Sequence, residues 1–333
     1  MRISRFIAPA LAALALLAWA SAPAAAENIA VSNYGISANG MPFAVALAKG
    51  YFREEGADVT GIISSQGGGT SLRNLMSGGI AYGEVNPGVT AVAIQQGAEV
   101  KIISDNVLTV AEFAWMARAD SPIRALADLR GRKIGYTNPR STSQALAILL
   151  LQAAGYRPED AELVKTGGFG EAVAALELGQ IDVAPVPEPI WSKHKGKFRV
   201  VVTASEALPP LDNVVGVTTT AAAASRGDFI RAVIRARRSA VAFMIANPDE
   251  AGDIVAKPFN IEPEVARSAV RNLTTSMTQG IPYWGSGQFH VDGMKRIIEV
   301  QKMVGAISGE IDVAKMIDTR FLPDDIQTMK QRD

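Results

Sequence analysis

Cysteine is absent from all 333 residues of the chain. That excludes disulfides, thiolate metal sites, a cysteine nucleophile and a lipid-modified N-terminal cysteine. Histidine is nearly absent as well, with only two residues. His194 lies in the charged run Lys193-His194-Lys195-Gly196-Lys197, a solvated turn, and His290 starts a helix as a capping or surface residue. No pair of histidines stands at i, i+4 to hold a metal. Excess charge is missing too: Lys+Arg 33 balances Asp+Glu 33, so no basic surface for nucleic acid is implied. Beyond the N-terminus there is no long apolar run, since Gln or Arg interrupts the stretches around Ala145–Ala154 and Ala232–Ala246. What remains, 48% apolar and 20% charged residues, is the composition of a folded globular chain of about two domains. The balance favours a binder over a catalyst, and no cofactor is expected.

Residues 1–26 read as a secretory signal, with Arg2 and Arg5 ahead of an apolar stretch from Ile7 to Ala20 and Ala24-Ala25-Ala26 as the cleavage site. A periplasmic location follows as an expectation.

From Asn28 the chain alternates strand and helix, with glycines closing the helices. Ile29–Val31, Val59–Ile63, Ile80–Val85 and Val100–Ile103 are predicted strands, separated by helices at Pro42–Lys49, Thr70–Met76 and Val89–Gln96. A second run begins at Lys133 and carries helices at Ser141–Ala154 and Glu171–Leu178. Such alternation predicts an α/β fold with mostly parallel sheets covered by helices. Phe113–Arg118 and Val214–Thr220 are extended segments able to carry the chain between the two runs. From Ala221 onwards only helices are predicted, among them Phe229–Ile245, Glu262–Met277 and Val291–Val304. The motif Leu75-x-x-Gly78-x-Ile80 recurs as Leu176-x-x-Gly179-x-Ile181, as two related lobes would produce.

Ligands of open α/β sheets bind beyond the carboxyl ends of strands, where loops enter helices. Those loops nominate Tyr34, Ser37 and Asn39 after the first strand, and Gly68, Gly69 and Thr70 after the second. They add Asn86 after the third, Asn138, Arg140, Ser141 and Thr142 before a helix of the second run, and Glu188 between two prolines. The glycine loop and the Ser141-Thr142 loop are candidate anion cradles at helix N-termini. Each such terminus contributes only about 0.3–1 kcal/mol, against about 8 kcal/mol for micromolar binding, so an enclosing cleft must supply the rest. Arg140 reads either as a counter-charge or as a solvated loop arginine. Glu188 reads either as a partner for a donor on the ligand or as an ordinary helix-starting acid. Nucleotide motifs fail: Gly67–Thr70 lacks the Gly-Lys-Ser/Thr ending, and Gly167-Gly168-Phe169-Gly170 lacks the third spaced glycine. Arg226-Gly227-Asp228 opens a helix, and Tyr283, Trp284 and Phe289 suit core packing better than ligand stacking.

Two stretches carry a family resemblance. One is Ala48-Lys49-Gly50-Tyr51-Phe52; the other is Asp128-Leu129-Arg130-Gly131-Arg132-Lys133-Ile134-Gly135, followed by Leu176-Glu177-Leu178-Gly179-Gln180-Ile181-Asp182. In order and spacing these resemble the periplasmic solute-binding proteins of bacterial ABC importers, in the group serving nitrate, taurine, alkanesulfonates and thiamine-pyrimidine precursors. The resemblance implies a two-lobed, type II binding-protein fold with two crossover strands. Its lobes are expected at residues 27–116 plus 218–333 and at 117–217. It implies a monomer that closes on a small-molecule solute and docks on an inner-membrane permease. The family's Gly-Ser-Ser/Thr-x-His element matches Arg140-Ser141-Thr142-Ser143-Gln144, and its Trp-Asp/Glu-Pro element matches Pro187-Glu188-Pro189. Arginine replacing glycine points to a small organic anion or zwitterion such as a sulfonate, a taurine-like solute or an aromatic carboxylate. The alternative is a thiamine-pyrimidine precursor or similar heterocycle. Less favoured are an enzyme on the same scaffold, with Glu188 as base, and a receptor that docks on a membrane sensor.

Overall fold

The structure is a computed structural model that describes residues 27–65, 67–139 and 141–329. The expected signal segment lies outside the described residues. The chain first lays down β1 (Glu27–Ser32), β2 (Val59–Ser65), β3 (Gly83–Val85) and β4 (Val100–Val107). It then builds β5 (Phe113–Arg118), β6 (Lys133–Tyr136), β7 (Glu162–Lys165), β8 (Ala184–Pro187) and β9 (Phe198–Thr203). Finally it returns with β10 (Val214–Thr219), β11 (Met277–Thr278), β12 (Ile281–Pro282) and β13 (Trp284–Gly287).

Two sheets result. The first has six strands in the order β13-β4-β10-β3-β1-β2. Its β2-β1-β3 pairs are parallel, the direction that βαβ crossovers impose, whereas β10 enters antiparallel between β3 and β4. In the second, β8 and β9 flank β5 antiparallel, β6 and β7 pair in parallel, and an Ile134–Val183 bridge joins the two groups. The expected α/β two-lobed architecture is therefore present, with both sheets mixed because the strands next to the crossings run against their neighbours. Phe113–Arg118 is β5 and Val214–Thr219 is β10, each hydrogen-bonded within a sheet. The crossings themselves are the short stretches 108–112 and 208–213, held side by side where Asn213 N–H donates to the Val107 carbonyl at 2.9 Å. The expected lobe boundaries at 116/117 and 217/218 thus fall inside β5 and β10.

The expectation of helices alone after Ala221 fails at β11–β13. Trp284–Gly287 pairs antiparallel with β4 and closes the edge of the first sheet, so an aromatic- and glycine-rich loop in sequence becomes a strand in place. Tyr283 and Trp284 are buried in the first lobe's core, as the packing reading anticipated. Helix termini follow their local chemistry. Ser141 caps Thr142–Ala153 by accepting from Gln144 N–H, and Asn86 caps Pro87–Gln95 by accepting from Gly88 N–H, with Pro87 at the first helical position. Helix Val291–Met303 is shared between the lobes: Met294 and Ile298 sit in an apolar cluster of the first, Ile297 and Val300 in the core of the second.

Beneath the first sheet lies a buried ion pair. Arg237, from helix Gly227–Ala246, has Nε 3.5 Å from Glu84 Oε1, with both side chains almost fully buried. Its guanidinium also donates to the carbonyls of Gly285 (2.8 Å) and Asn106 (2.6 Å). The amides of Asn39 and Asn106 donate to the Glu84 carboxylate at 2.9 and 2.7 Å. Such a pair tolerates burial because most of its donors and acceptors are satisfied, with Arg237 Nε the exception.

Candidate functional site

Where the two lobes meet, at the carboxyl ends of β1, β3 and β6, a cavity of about 250 Å³ opens. Its volume is below the ~300–1,000 Å³ of clefts for drug-sized ligands, so it suits a compact solute. Four α-helices begin on it: Gly68–Met76, Pro87–Gln95, Thr142–Ala153 and Phe169–Glu177. Their N-termini direct partial positive charge and free N–H groups inwards.

Six of the residues nominated from sequence line this cavity: Ser37, Asn39, Gly68, Asn86, Ser141 and Thr142. Asn86 and Thr142 face each other across the lobes, with Asn86 Nδ2 3.5 Å from Thr142 Oγ1. Asn86 Nδ2 also donates to the Asn213 carbonyl at 3.0 Å, so the first lobe is tied to the second crossing. Gln301 reaches the same threonine at 3.3 Å. Gly88 permits this approach, because a Cβ there would come 2.8 Å from Gln301 Cγ.

The other nominations are placed elsewhere. Tyr34 packs its ring on Phe259, with centroids 5.6 Å apart. Gly69 lies beside Arg73, and the Thr70 hydroxyl accepts from that arginine at 2.8 Å. Asn138 donates to the Gly167 carbonyl at 2.8 Å. Glu188 is fully buried but does not line the cavity; it accepts from Ser192 N–H (3.1 Å), the Ser192 hydroxyl (2.9 Å) and Asn272 Nδ2 (2.6 Å). Arg140 lies outside the described residues.

Several lining residues escaped the loop-based reading: Ser32, Asn33 and Ser143, and above all Glu112, Phe113, Phe169 and Asn213 at or near the crossings. Glu112 carries the most information. Its side chain is 3% exposed, Asn213 Nδ2 donates to Oε1, and Oε2 is buried with no hydrogen-bond partner. Burial pushes its carboxyl up to about 8, with the hydrogen bond from Asn213 opposing the rise. Beside it the rings of Phe113 and Phe169 meet at 5.6 Å between centroids. Its sequence signal was a lone acid in the apolar run Val107–Ala117. Among the described residues lining the cavity there is no Lys, Arg or His.

Asn39 adds a second oriented group. Its Nδ2 donates to both the Ser32 carbonyl (3.0 Å) and Glu84 (2.9 Å), which leaves Oδ1 as the atom it offers the cavity. Turning the amide over would set Oδ1 against two acceptors. Behind the crossings, Asp105 and Asp212 are fully buried. Burial holds both carboxyls well above the usual range, and the charge of Asp212 raises Asp105 further. His290 sits beside this pair, its backbone N–H donating to Asp105 at 2.9 Å and its ring Nδ1 3.1 Å from Asp212. Among the described residues no group of three His, Cys, Asp or Glu side chains is placed to hold a metal ion. None of their helices is long and apolar enough to cross a membrane.

This architecture recurs in known proteins. The riboflavin-binding protein RibY of Chloroflexus aurantiacus is 26% identical over 300 residues, covering 85% of this chain and 82% of its own. The crystal structure of the periplasmic aliphatic sulphonate binding protein SsuA from Escherichia coli superposes with a TM-score of 0.74 at 17% identity, over 88% of this chain and 92% of that one. The periplasmic nitrate-binding protein NrtA from Synechocystis PCC 6803 gives 0.68 at 16% identity, over 93% and 89%. At such identities these two structures share the fold, that of periplasmic binding proteins. The NMT1/THI5-like family model matches residues 37–251, from the first cavity loop through both crossings and into the helices that follow. On that match, the chain belongs to the NMT1/THI5-like family.

Proposed function

We propose that this protein is the solute-capturing component of an ABC-type importer. Residues 1–26 direct it to the periplasm, and it acts there as a cofactor-free monomer. The solute bridges two lobes divided at the crossings, favours the closed form by its greater affinity for it, and is handed to a membrane permease. The preferred solute is a small planar heterocycle that carries both N–H donors and carbonyl acceptors, of the pyrimidine kind.

The observation that carries this choice is Glu112. A buried carboxyl with one free oxygen, beside two phenyl rings, rewards a flat ligand with a hydrogen to donate. Asn39 Oδ1 supports the same demand, and the helix N-termini complement the ligand's carbonyls. That a relative is named for binding riboflavin agrees with this class. A zwitterion such as taurine is the second reading, favoured by the same N-termini for a sulfonate and by Glu112 for an ammonium.

Thermal-shift measurements on residues 27–333 with riboflavin, aminopyrimidines, taurine, alkanesulfonates and nitrate test the choice. A shift with a heterocycle, lost in Glu112→Ala, is expected. A shift with sulfonates or nitrate that survives Glu112→Ala would overturn it.

A further inference from the structure

We infer that Glu188 and Asn272 form a latch between the lobes, and that this latch sets the fraction of solute-free protein that is closed. The inference rests on the two-lobed fold and is independent of which solute binds. Glu188 follows β8 and belongs to the second lobe, where its N–H donates to the Glu112 carbonyl at 2.9 Å. Asn272 lies on helix Pro263–Thr275, whose Ala266, Ala269, Val270 and Leu273 are buried in the core of the first lobe. Asn272 Nδ2 spans the gap to Glu188 Oε1 at 2.6 Å and to the Ser192 hydroxyl at 3.4 Å. Ser192 and Ser268 bring their hydroxyls to 3.3 Å, and Ser205 and Ser276 add a further contact at 3.2 Å nearer the crossings.

Two features separate this arrangement from ordinary packing. All four contacts are polar and lie outside the solute cavity, so a solute neither makes nor replaces them. Ser192, Ser268 and Asn272 also line a second pocket of about 330 Å³, from which water can take over the hydrogen bonds these three residues make as the lobes part. Closing therefore exchanges solvation of Glu188 for one charge-assisted and several neutral hydrogen bonds, a small net term of either lobe's making. Burial raises the Glu188 carboxyl above its ordinary value, and the bonds from Asn272 and Ser192 oppose that rise. Glu188 and Asn272 are thus positioning residues. Apparent affinity scales with the fraction of binding-competent protein, so weakening the latch weakens binding without touching the solute.

The cysteine-free chain makes the test direct, because two introduced cysteines are the only thiols. Labels at Ser77→Cys in the first lobe and Lys165→Cys in the second, both at exposed positions, report the interlobe distance distribution. In solute-free wild type a short-distance population is expected alongside a long one. Asn272→Ala should lower the closed-to-open ratio about tenfold. Asn272→Asp, which sets a second carboxylate against Glu188, should abolish the short population, and Glu188→Gln should fall between wild type and Asn272→Ala. Circular-dichroism melts establish that each variant is folded; should one not be, the other two carry the comparison. A solute-free wild type with no short population overturns the proposal, as do distributions that are identical in wild type and folded variants. A failed solute screen with the predicted distance shifts would overturn the solute reading and leave the latch standing.

Discussion

Replacing Glu112 by glutamine should stabilise the solute-free protein, and by an amount that grows with pH. In the folded state burial lifts this carboxyl from 4.5 to about 8. Between those values the native state binds a proton that the unfolded state has already released. Stability is therefore full below the unfolded value and is lost as pH rises towards 8, at up to ~1.4 kcal/mol per pH unit. Across the whole window the loss is on the order of 5 kcal/mol, since the group is fully buried and little screened. Glutamine keeps an oxygen for Asn213 Nδ2 and resembles the protonated acid, so the variant has no proton to lose. Urea or thermal unfolding of both proteins at pH 5, 6, 7 and 8.5 measures the effect, read as the difference between variant and wild type at each pH. That difference should be small at pH 5 and widen steadily, reaching on the order of 10 °C in Tm by pH 8.5. The other buried acids, Glu84, Asp105, Asp212 and Glu188, are raised in the same direction, so both proteins should lose stability with pH, and only the difference isolates Glu112. Parallel pH curves for the two proteins would refute the reasoning, because Glu112 would then be ionised in water-like surroundings.

The same carboxyl should report on binding: at pH 7 a solute that donates N–H to Glu112 should release up to one proton, seen as calorimetric heats that vary with the buffer's ionisation enthalpy, and buffer-independent heats would contradict the contact. Gly293→Ala places a Cβ against Asp212 Oδ1 and His290 Nδ1, and should cost about 1–3 kcal/mol in denaturant unfolding. Arg237→Met leaves the Glu84 carboxylate buried without its cation and should cost about 3–5 kcal/mol, whereas Arg237→Met with Glu84→Gln should recover part of that loss; no recovery would mean that packing rather than charge dominates there.

The fold was legible in the sequence wherever one local rule decided the outcome. Glycine stops, the Ser141 helix start and apolar strands located most of both sheets, because caps and periodicity act within a few residues. Trp284–Gly287 was missed because its only strand-forming reason is β4, remote in sequence, which offers an edge to pair with. The site divides along the same line. Ser141, Thr142, Gly68 and Asn86, nominated from the sequence, line the cavity because they stand at helix starts after strands, a position recognisable from the chain itself. Glu112, Phe169 and Asn213 were not, since their importance arises from two crossings and a second lobe converging on one point. Tyr34 and Glu188 stand in the right loops, yet packing on Phe259 and bonding to Asn272 commit them to neighbours instead of the cavity.

Helix Val291–Met303, which seats Met294 and Ile298 on one side and Ile297 and Val300 on the other, also bears on how the molecule can be divided. Neither half completes its interior without this late segment, so cutting the chain at the crossings would yield fragments that each display a raw oily wound. Melting should accordingly run as one event, with the two halves surrendering together, because each borrows its final staves from the same shared post.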